Sequence, residues 1–428
     1  MHETITPCRA IKGTIHIPGD KSITHRALLT GSISQGRVEI SNPSPAMDCE
    51  STVNCLKQLG VQISRGNNKY SVKGRGLFGL KKPNSILDAG NSGTTARLLS
   101  GILSGQGFDA ILTGDESLSQ RPMERIILPL RQMGAEIRPR QGDNLLPLEI
   151  RGRKLNGITY EIPLPSAQVK SSLLLAGLLA IGKTTLTGRL DSRDHTERLF
   201  DYLGIGLENV NGRLLVEGGQ EIQAKDIRVP GDFSAAMFFI AAAVVTRHSE
   251  IVIKNVGLNP TRTKGLDVLR RMGADLEVFP EEEQNQEPVG TITARSSKLK
   301  GTTITAEEVP YLIDEIPALA VAAALADGNT TIAGAGELRV KESDRLSALA
   351  SELKKMRAEI KETPAGLEIY GRAVLKGAVL DSHHDHRIAM ALAAAGLAAE
   401  GPSRIIGSEW TGVSFPGFFN LLSGVRRQ

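Results

Sequence analysis

Aromatic side chains are scarce: they make up 4% of the 428 residues, and there is one tryptophan. Few flat rings are left for stacking nucleobases. Charge of one sign is also scarce, with 51 Lys+Arg against 47 Asp+Glu and a net of +4. No basic tail or block accompanies that excess. The composition therefore argues against a nucleic-acid footprint and leaves room for small anionic ligands. Only three cysteines occur, Cys8, Cys49 and Cys55. They have no metal-binding spacing and cannot all pair, which fits a reducing compartment. Long apolar runs are missing too. The best candidates, near Ser172–Ile181 and Ala235–Val245, reach about half a membrane span. Glu3 with no apolar run behind it does not read as a signal peptide. A soluble cytoplasmic protein that binds neither membrane nor nucleic acid is expected.

What is present is repetition. Six stretches rich in small and aliphatic residues recur: Arg26–Ile33, Arg97–Leu103, Ser172–Ala180, Ala235–Val245, Ala318–Leu325 and Ile388–Ala399. Apolar residues fill most faces of each, so each reads as a buried helix. Most are followed by a glycine turn and an alternating strand, as at Gly36–Ile40, Gly182–Leu186, Gly328–Ile332 and Gly401–Ile406. A second series interleaves: Leu56–Gly60, Leu130–Gly134, Phe200–Gly204 and Leu269–Gly273 are amphipathic helix ends stopped by glycine. Leu353–Arg357 is a fifth copy in which arginine replaces the glycine. Short strand-and-glycine pieces follow, at Val72–Gly76, Ile150–Arg153 and Ile369–Arg372. The period, about seventy residues, exceeds that of common solenoids, and each copy reads as a βαβαββ unit.

A chain of this length is too long for one core. Six copies, with the tripeptide Pro-Gly-Asp at Pro18–Asp20 and again at Pro230–Asp232, suggest an α/β protein of two domains with three units each. One domain is expected to span residues 20–230 and the other to combine 1–19 with 231–428. Glu281–Pro288 reads as an exposed loop. In Ile17–Arg26 a strand ends, a Pro-Gly turn follows, and a helix opens with Lys21, Ser22 and Arg26 on its first turns. Free N–H groups and the positive end of the helix dipole suit a phosphate or carboxylate there. The bland alternative is an ordinary capped helix, with Ser22 as the cap. Cations recur at related positions: Arg97 and Lys170 near first-helix starts, Arg193 and Arg345 near second-helix starts, and Arg121 just before Pro122, a candidate first helical residue. Such cations at one end of each domain would line an electropositive cleft for a ligand with more than one anionic group.

Seven segments, in order, carry a resemblance: Pro18–Arg26, Ala89–Arg97, Gln120–Met123, Pro165–Ser172, Asp314–Pro317, Leu338–Leu346 and Asp385–Met390. Over essentially its whole length the chain resembles the 5-enolpyruvylshikimate-3-phosphate (EPSP) synthases. The resemblance implies two domains of three βαβαββ repeats, an inside-out arrangement, with the active site in the interdomain cleft. It also implies enolpyruvyl transfer from phosphoenolpyruvate to the 5-hydroxyl of shikimate 3-phosphate, with release of phosphate, on the route to chorismate and aromatic amino acids. No metal or organic cofactor is implied, and a monomer that closes around its two substrates is expected.

By the same resemblance Lys21 lies between both substrates. Ser22, Arg26, Ser166, Ala167, Gln168, Arg193, Asp314 and Lys341 contact shikimate 3-phosphate. Gly93, with Asn91 and Thr94 in the same turn, approaches phosphoenolpyruvate, which Arg121, Gln168, Arg345 and Arg387 also hold. Asp314 and Glu342 are the acid–base carboxylates. Guanidinium forks suit carboxylate and phosphate, and paired carboxylates with a lysine suit the proton transfers. Lys170 reads equally as a nearby cation or a solvated residue. His383, His384 and His386 look like a metal cluster, but adjacent residues on one short segment rarely converge on one ion. One departure is clear: Val413 stands where some members carry a lysine, placing the chain nearer the family's second branch. Gly93, in place of a bulkier residue, favours sensitivity to the phosphoenolpyruvate mimic glyphosate. The rival enzyme, UDP-N-acetylglucosamine enolpyruvyl transferase, usually has a cysteine in the loop corresponding to Thr113–Arg121, where this chain has none. A non-catalytic anion-binding repeat protein is the remaining alternative.

Overall fold

The computed structural model describes residues 1–140, 144–371 and 374–427; Arg372, the last residue of one strand-and-glycine piece, lies outside them. The chain divides into two compact units. The first comprises Gly19–Val229 and Glu283–Glu287, and the second Met1–Pro18, Pro230–Glu282 and Pro288–Gln428. Two of the chain's passages between units fall at the Pro-Gly-Asp tripeptides. The other two flank Glu283–Glu287, where the sequence suggested only an exposed loop. Glu281, Glu282, Glu283 and Gln286 are exposed, but Glu287 is buried and its Oε1 sits 2.7 Å from Nδ1 of His195 within the first unit.

The first unit contains three four-stranded sheets of one pattern: a short strand, parallel to a second, followed by an antiparallel hairpin. Leu87–Asp88, Asp109–Thr113, Leu148–Arg151 and Glu136–Pro139 form one. Thr159–Ile162, Lys183–Gly188, Arg213–Glu217 and Leu207–Val210 form another. In the remaining sheet the opening strand comes from the far end of the unit: Ile227–Arg228 pairs in parallel with Arg37–Ser41. The second unit repeats the pattern. Ala10–His16 opens its first sheet beside Glu250–Gly257, and Thr303–Ile304 its second beside Asn329–Ile332. In the last, Val379–Asp381 runs parallel to Ser403–Ile406, and the antiparallel neighbour is the N-terminal strand His2–Ile5.

The first helix of each repeat is enclosed on nearly all sides. All of His386–Leu397 is buried, as is Phe233–Val245 apart from Ala235 and Val245. These two helices pack on each other and on Ile316–Ala324; in the first unit Gly93–Ser104 packs on Lys21–Ser32 and Ala167–Leu178. Alanine, glycine and serine along these helices allow close approach, and each fully buried Leu, Ile or Phe contributes about 1.5–3 kcal/mol. Helices thus lie inside each unit with sheets around them. No helix among the described residues is long and apolar enough to cross a membrane.

Helix ends follow local chemistry. Gly60, Gly134, Gly204 and Gly273 stop the second helices with φ of 82°, 99°, 76° and 92°, a region that costs L-residues steric energy. Arg357, at the fifth such stop, adopts φ 72° without the benefit of glycine. First helices are capped by Asp20, Ser92, Ser166, Asp232 and Asp385, whose side chains accept from backbone N–H groups two or three residues on. The cap at the Lys21 helix is therefore Asp20, and Ser22 lies within the helix. Pro122 is not a first helical residue either: the helix that follows begins at Glu124.

Candidate active site

In the first unit the expected residues gather at the N-terminal ends of the inner helices. Lys21 is the first residue of its helix, and its Nζ lies 2.7 Å from Oδ2 of Asp48, a first-turn residue of the helix Met47–Gln58. Arg26, one turn deeper, is buried. Its Nε donates to Thr196 Oγ1 and its Nη2 to Ser171 Oγ, both at 2.7 Å, and its Nη1 to the Ser22 carbonyl at 2.9 Å. Burial lowers the pKa of Arg26 to about 10, with Glu197 and Asp20 opposing and nearby Arg193 adding to the fall; the group stays charged at neutral pH. His25, also buried, bonds Thr52 at 2.7 Å, and Thr52 bonds Thr95 at the same distance. Burial, then Lys21 and Arg26, hold the His25 pKa well below its ordinary value, so the ring is neutral.

Ser166 caps the helix whose first residues are Ala167 and Gln168. The Gln168 amide bridges two neighbours: Oε1 accepts from Arg97 Nη1 at 2.9 Å and Nε2 donates to Thr94 Oγ1 at 3.1 Å. Gly93 leaves the room this requires, since a Cβ there would stand 2.5 Å from Arg97 Nη1. Arg121 Nη2 donates to Asn91 Oδ1 at 2.8 Å and to Ser117 Oγ at 2.9 Å. Arg97 Nη2 also donates to the Pro122 carbonyl at 3.2 Å, next to Arg121, which links the Arg97–Gln168–Thr94 group to the Arg121–Asn91 pair. Lys170 is neither a free cation nor a solvated residue. It is 1% exposed, 2.5 Å from Glu197 Oε1, and it donates to the Leu190 and Ser192 carbonyls at 3.2 Å. It secures the loop leading to Arg193.

In the second unit the centre is Arg345, the first residue of the helix Arg345–Lys355 and 1% exposed. Its Nε donates to Asp385 Oδ2 at 2.7 Å and its Nη2 to Glu342 Oε2 at 2.5 Å. Its Nη1 stands 3.5 Å from Asp314 Oδ1 and makes no hydrogen bond among the described residues. Burial acts to lower the Arg345 pKa, but Asp385, Glu342 and Asp314 outweigh it and raise the value. Arg387 Nε lies 3.1 Å from Asp314 Oδ1, and its Nη1 donates to the Asp314 carbonyl at 3.1 Å. Asp314 is therefore held by two arginines rather than used as a cap; the helix Ile316–Ala324 has no side-chain cap. Lys341 and Glu342 lie between a short 3-10 helix, Gly336–Val340, and the Arg345 helix, not on a helix face. Lys341 Nζ pairs with Glu337 at 2.9 Å; burial lowers its pKa and Glu337 opposes that. Asp385, 0% exposed, was legible only as part of a motif, and its role as the partner of Arg345 was not.

The histidines diverge: His383 Nε2 bonds Glu352 at 2.8 Å, His384 stacks on Trp410 with centroids 5.0 Å apart, and His386 is buried at a helix start. No group of three or more His, Cys, Asp or Glu able to hold a metal occurs among the described residues. Val413 is buried at the end of a 3-10 helix, Ser408–Val413. A separate groove of about 570 Å³ lies over Lys12, Thr14, Glu250 and Arg295. It contains none of the expected residues, and its arginine is paired with Glu250 and Asp275.

In both units cations and carboxylates collect at helix starts, an arrangement suited to small anionic ligands. A family model described as EPSP synthase (3-phosphoshikimate 1-carboxyvinyltransferase) matches residues 5–422. A Geobacter sp. (strain M21) protein named 3-phosphoshikimate 1-carboxyvinyltransferase is 47% identical over 422 residues, covering 99% of this chain and 98% of that one. A protein of the same name from Thermoanaerobacter sp. (strain X514) is 50% identical over 412 residues, covering 96% and 97%. The solved EPSP synthase of Acinetobacter baumannii superposes with a TM-score of 0.89 at 42% identity, covering 99% and 98%. The chain belongs to the EPSP synthase family.

Proposed function

We propose that this chain transfers the enolpyruvyl group of phosphoenolpyruvate to the 5-hydroxyl of shikimate 3-phosphate, releasing phosphate, and that both residue clusters serve this one reaction. The 5-hydroxyl oxygen bonds to C2 of phosphoenolpyruvate as it loses its proton, while C3 gains one. Loss of a C3 proton with departure of phosphate then restores the C2–C3 double bond and leaves the product enol ether. Asp314 accepts the hydroxyl proton, and Glu342 and Lys21 deliver and recover the C3 proton. Arg345, Arg387 and Arg121 hold the phosphate and carboxylate of phosphoenolpyruvate, with Gly93 and Gln168 beside it. Ser22, Arg26, Ser166, Ala167, Gln168, Arg193 and Lys341 serve shikimate 3-phosphate. Preorganised cations stabilise the charge that develops.

The observation that carries this reading is the Asp314–Arg345–Glu342 group: one carboxylate stands 3.1 Å from Arg387 Nε and 3.5 Å from Arg345 Nη1, while a second carboxylate lies on the same Arg345 guanidinium. The test is phosphate release from the purified protein with phosphoenolpyruvate and shikimate 3-phosphate, beside a tube containing UDP-N-acetylglucosamine instead. Release only in the first tube, lost in Asp314→Asn and in Lys21→Met, is expected. Release only with the nucleotide sugar would overturn the substrate assignment. We further propose a monomeric, cytoplasmic enzyme inhibited by glyphosate in competition with phosphoenolpyruvate; a dimer mass in sedimentation, or an unchanged rate at millimolar inhibitor, would count against the respective parts.

A further inference from the structure

We propose that Glu352 is a positioning residue for Arg345 and Arg387. The inference rests on the reading above that these arginines hold phosphoenolpyruvate. Glu352 lies two turns along the same helix as Arg345 and on the same side of it, with a side chain 1% exposed. A buried carboxylate persists only where donors satisfy it, and here four groups do. Asp381 N–H donates to Oε2 at 2.9 Å, His383 Nε2 bonds Oε1 at 2.8 Å, Lys355 Nζ reaches both oxygens at 2.8 Å, and Ser351 Oγ reaches Oε1 at 3.1 Å.

Two of those donors belong to one turn, 381–384. His383 and His384 are consecutive non-glycine residues with positive φ, 52° and 57°. Such backbone is disfavoured for L-residues and persists where its surroundings impose it. Glu352 grips the His383 ring and the start of the turn, Asp381 Oδ1 accepts from His383 N–H at 2.7 Å, and Trp410 covers His384. The next residue is Asp385. Its Oδ1 accepts from the Arg387 N–H at 2.8 Å, and its Oδ2 accepts from Arg345 Nε at 2.7 Å. The turn thus delivers the carboxylate that holds the Arg345 guanidinium and caps the helix start from which Arg387 projects, and Glu352 ties the turn to the helix that carries Arg345. Releasing it lets Asp385 shift while the inner helices remain packed.

The experiment measures kcat and both KM values for Glu352→Met, Glu352→Gln, His383→Asn and, as a control, Arg387→Ala. Native folding is checked by Trp410 emission. A misplacement near 1 Å can cost about a hundredfold, so a rise of roughly tenfold or more in KM for phosphoenolpyruvate is expected for Glu352→Met. KM for shikimate 3-phosphate should stay within about twofold, because Ser22, Arg26, Ser166, Gln168 and Arg193, which in this reading hold most of that substrate, lie in the first unit. Glu352→Gln should be intermediate, since an amide oxygen still accepts from Asp381 N–H. His383→Asn tolerates the left-handed backbone but loses the ring bond; it should raise the same KM more mildly, and it decides the matter if the Glu352 variants do not fold. Lower thermal stability with both KM values unchanged would assign Glu352 a structural role only and overturn the proposal. An unchanged KM for phosphoenolpyruvate in Arg387→Ala as well would instead remove the reading of the arginines on which it rests.

Discussion

Replacing Arg345 by methionine should expose how much of the second unit rests on one guanidinium. The side chain is 1% exposed and lies among Asp385, Glu342 and Asp314 at 2.7, 2.5 and 3.5 Å. Methionine fills much of the space but removes the Arg345 charge from Asp385 and Glu342 and leaves Asp314 with Arg387. Breaking a buried ion pair by removing one partner costs about 3–5 kcal/mol, a large share of the roughly 5–15 kcal/mol that holds a folded protein together. At about 2–4 °C per kcal/mol for a unit of this size, the second unit should melt roughly 6–20 °C lower. The assay is available without labelling, because the single tryptophan, Trp410, belongs to this unit and stacks on His384, next to Asp385. Acid should narrow the deficit, because carboxyl groups that take up protons no longer repel one another. Arg345→Lys should fall between, keeping the charge but not the fork. A loss below about 1 kcal/mol at neutral pH, or one that is no smaller in acid, would mean that the guanidinium is not the buried partner described here.

Arg357→Gly should stabilise the second unit by about 0.5–1 kcal/mol, because glycine adopts φ 72° without steric cost yet loses more freedom on folding; urea titration with Trp410 emission reads it, and a loss of stability would refute it. Gly93→Ala should lower kcat/KM for phosphoenolpyruvate roughly tenfold or more, since a Cβ 2.5 Å from Arg97 Nη1 must displace the guanidinium that holds Gln168 and a charged hydrogen bond contributes about 1.5–3 kcal/mol. His25 gives the first unit a pH-dependent term. Its folded pKa is depressed, so only the unfolded chain takes up a proton as pH falls below its ordinary value. Stability is full above about pH 6.5 and then declines by up to roughly 1.4 kcal/mol per pH unit. Hydrogen exchange in the helix Lys21–Ser32 should show this slope in the wild type, and an equal slope in His25→Gln would refute it.

The repeat, the buried helices, the glycine stops and the substituted stop at Arg357 were legible in the chain because each depends on residues a few positions apart. Helix periodicity, capping and left-handed turns are local, and six copies of one pattern reinforce the reading. Lys21, Arg121 and Arg345 stood out because helix starts attract anions, and Arg387 through the family resemblance alone. The partners were not legible: Asp48 for Lys21, Thr196 and Ser171 for Arg26, Glu197 for Lys170, Asp385 for Arg345. Nor were the loan of Ile227–Arg228 to the first sheet and the burial of Glu287 beside His195. Each of these joins segments that the chain separates by tens of residues or more. The burial of a charge and the identity of its partner are settled only when those segments pack, because the cost of desolvation falls due there and must be met by whichever group the fold brings near.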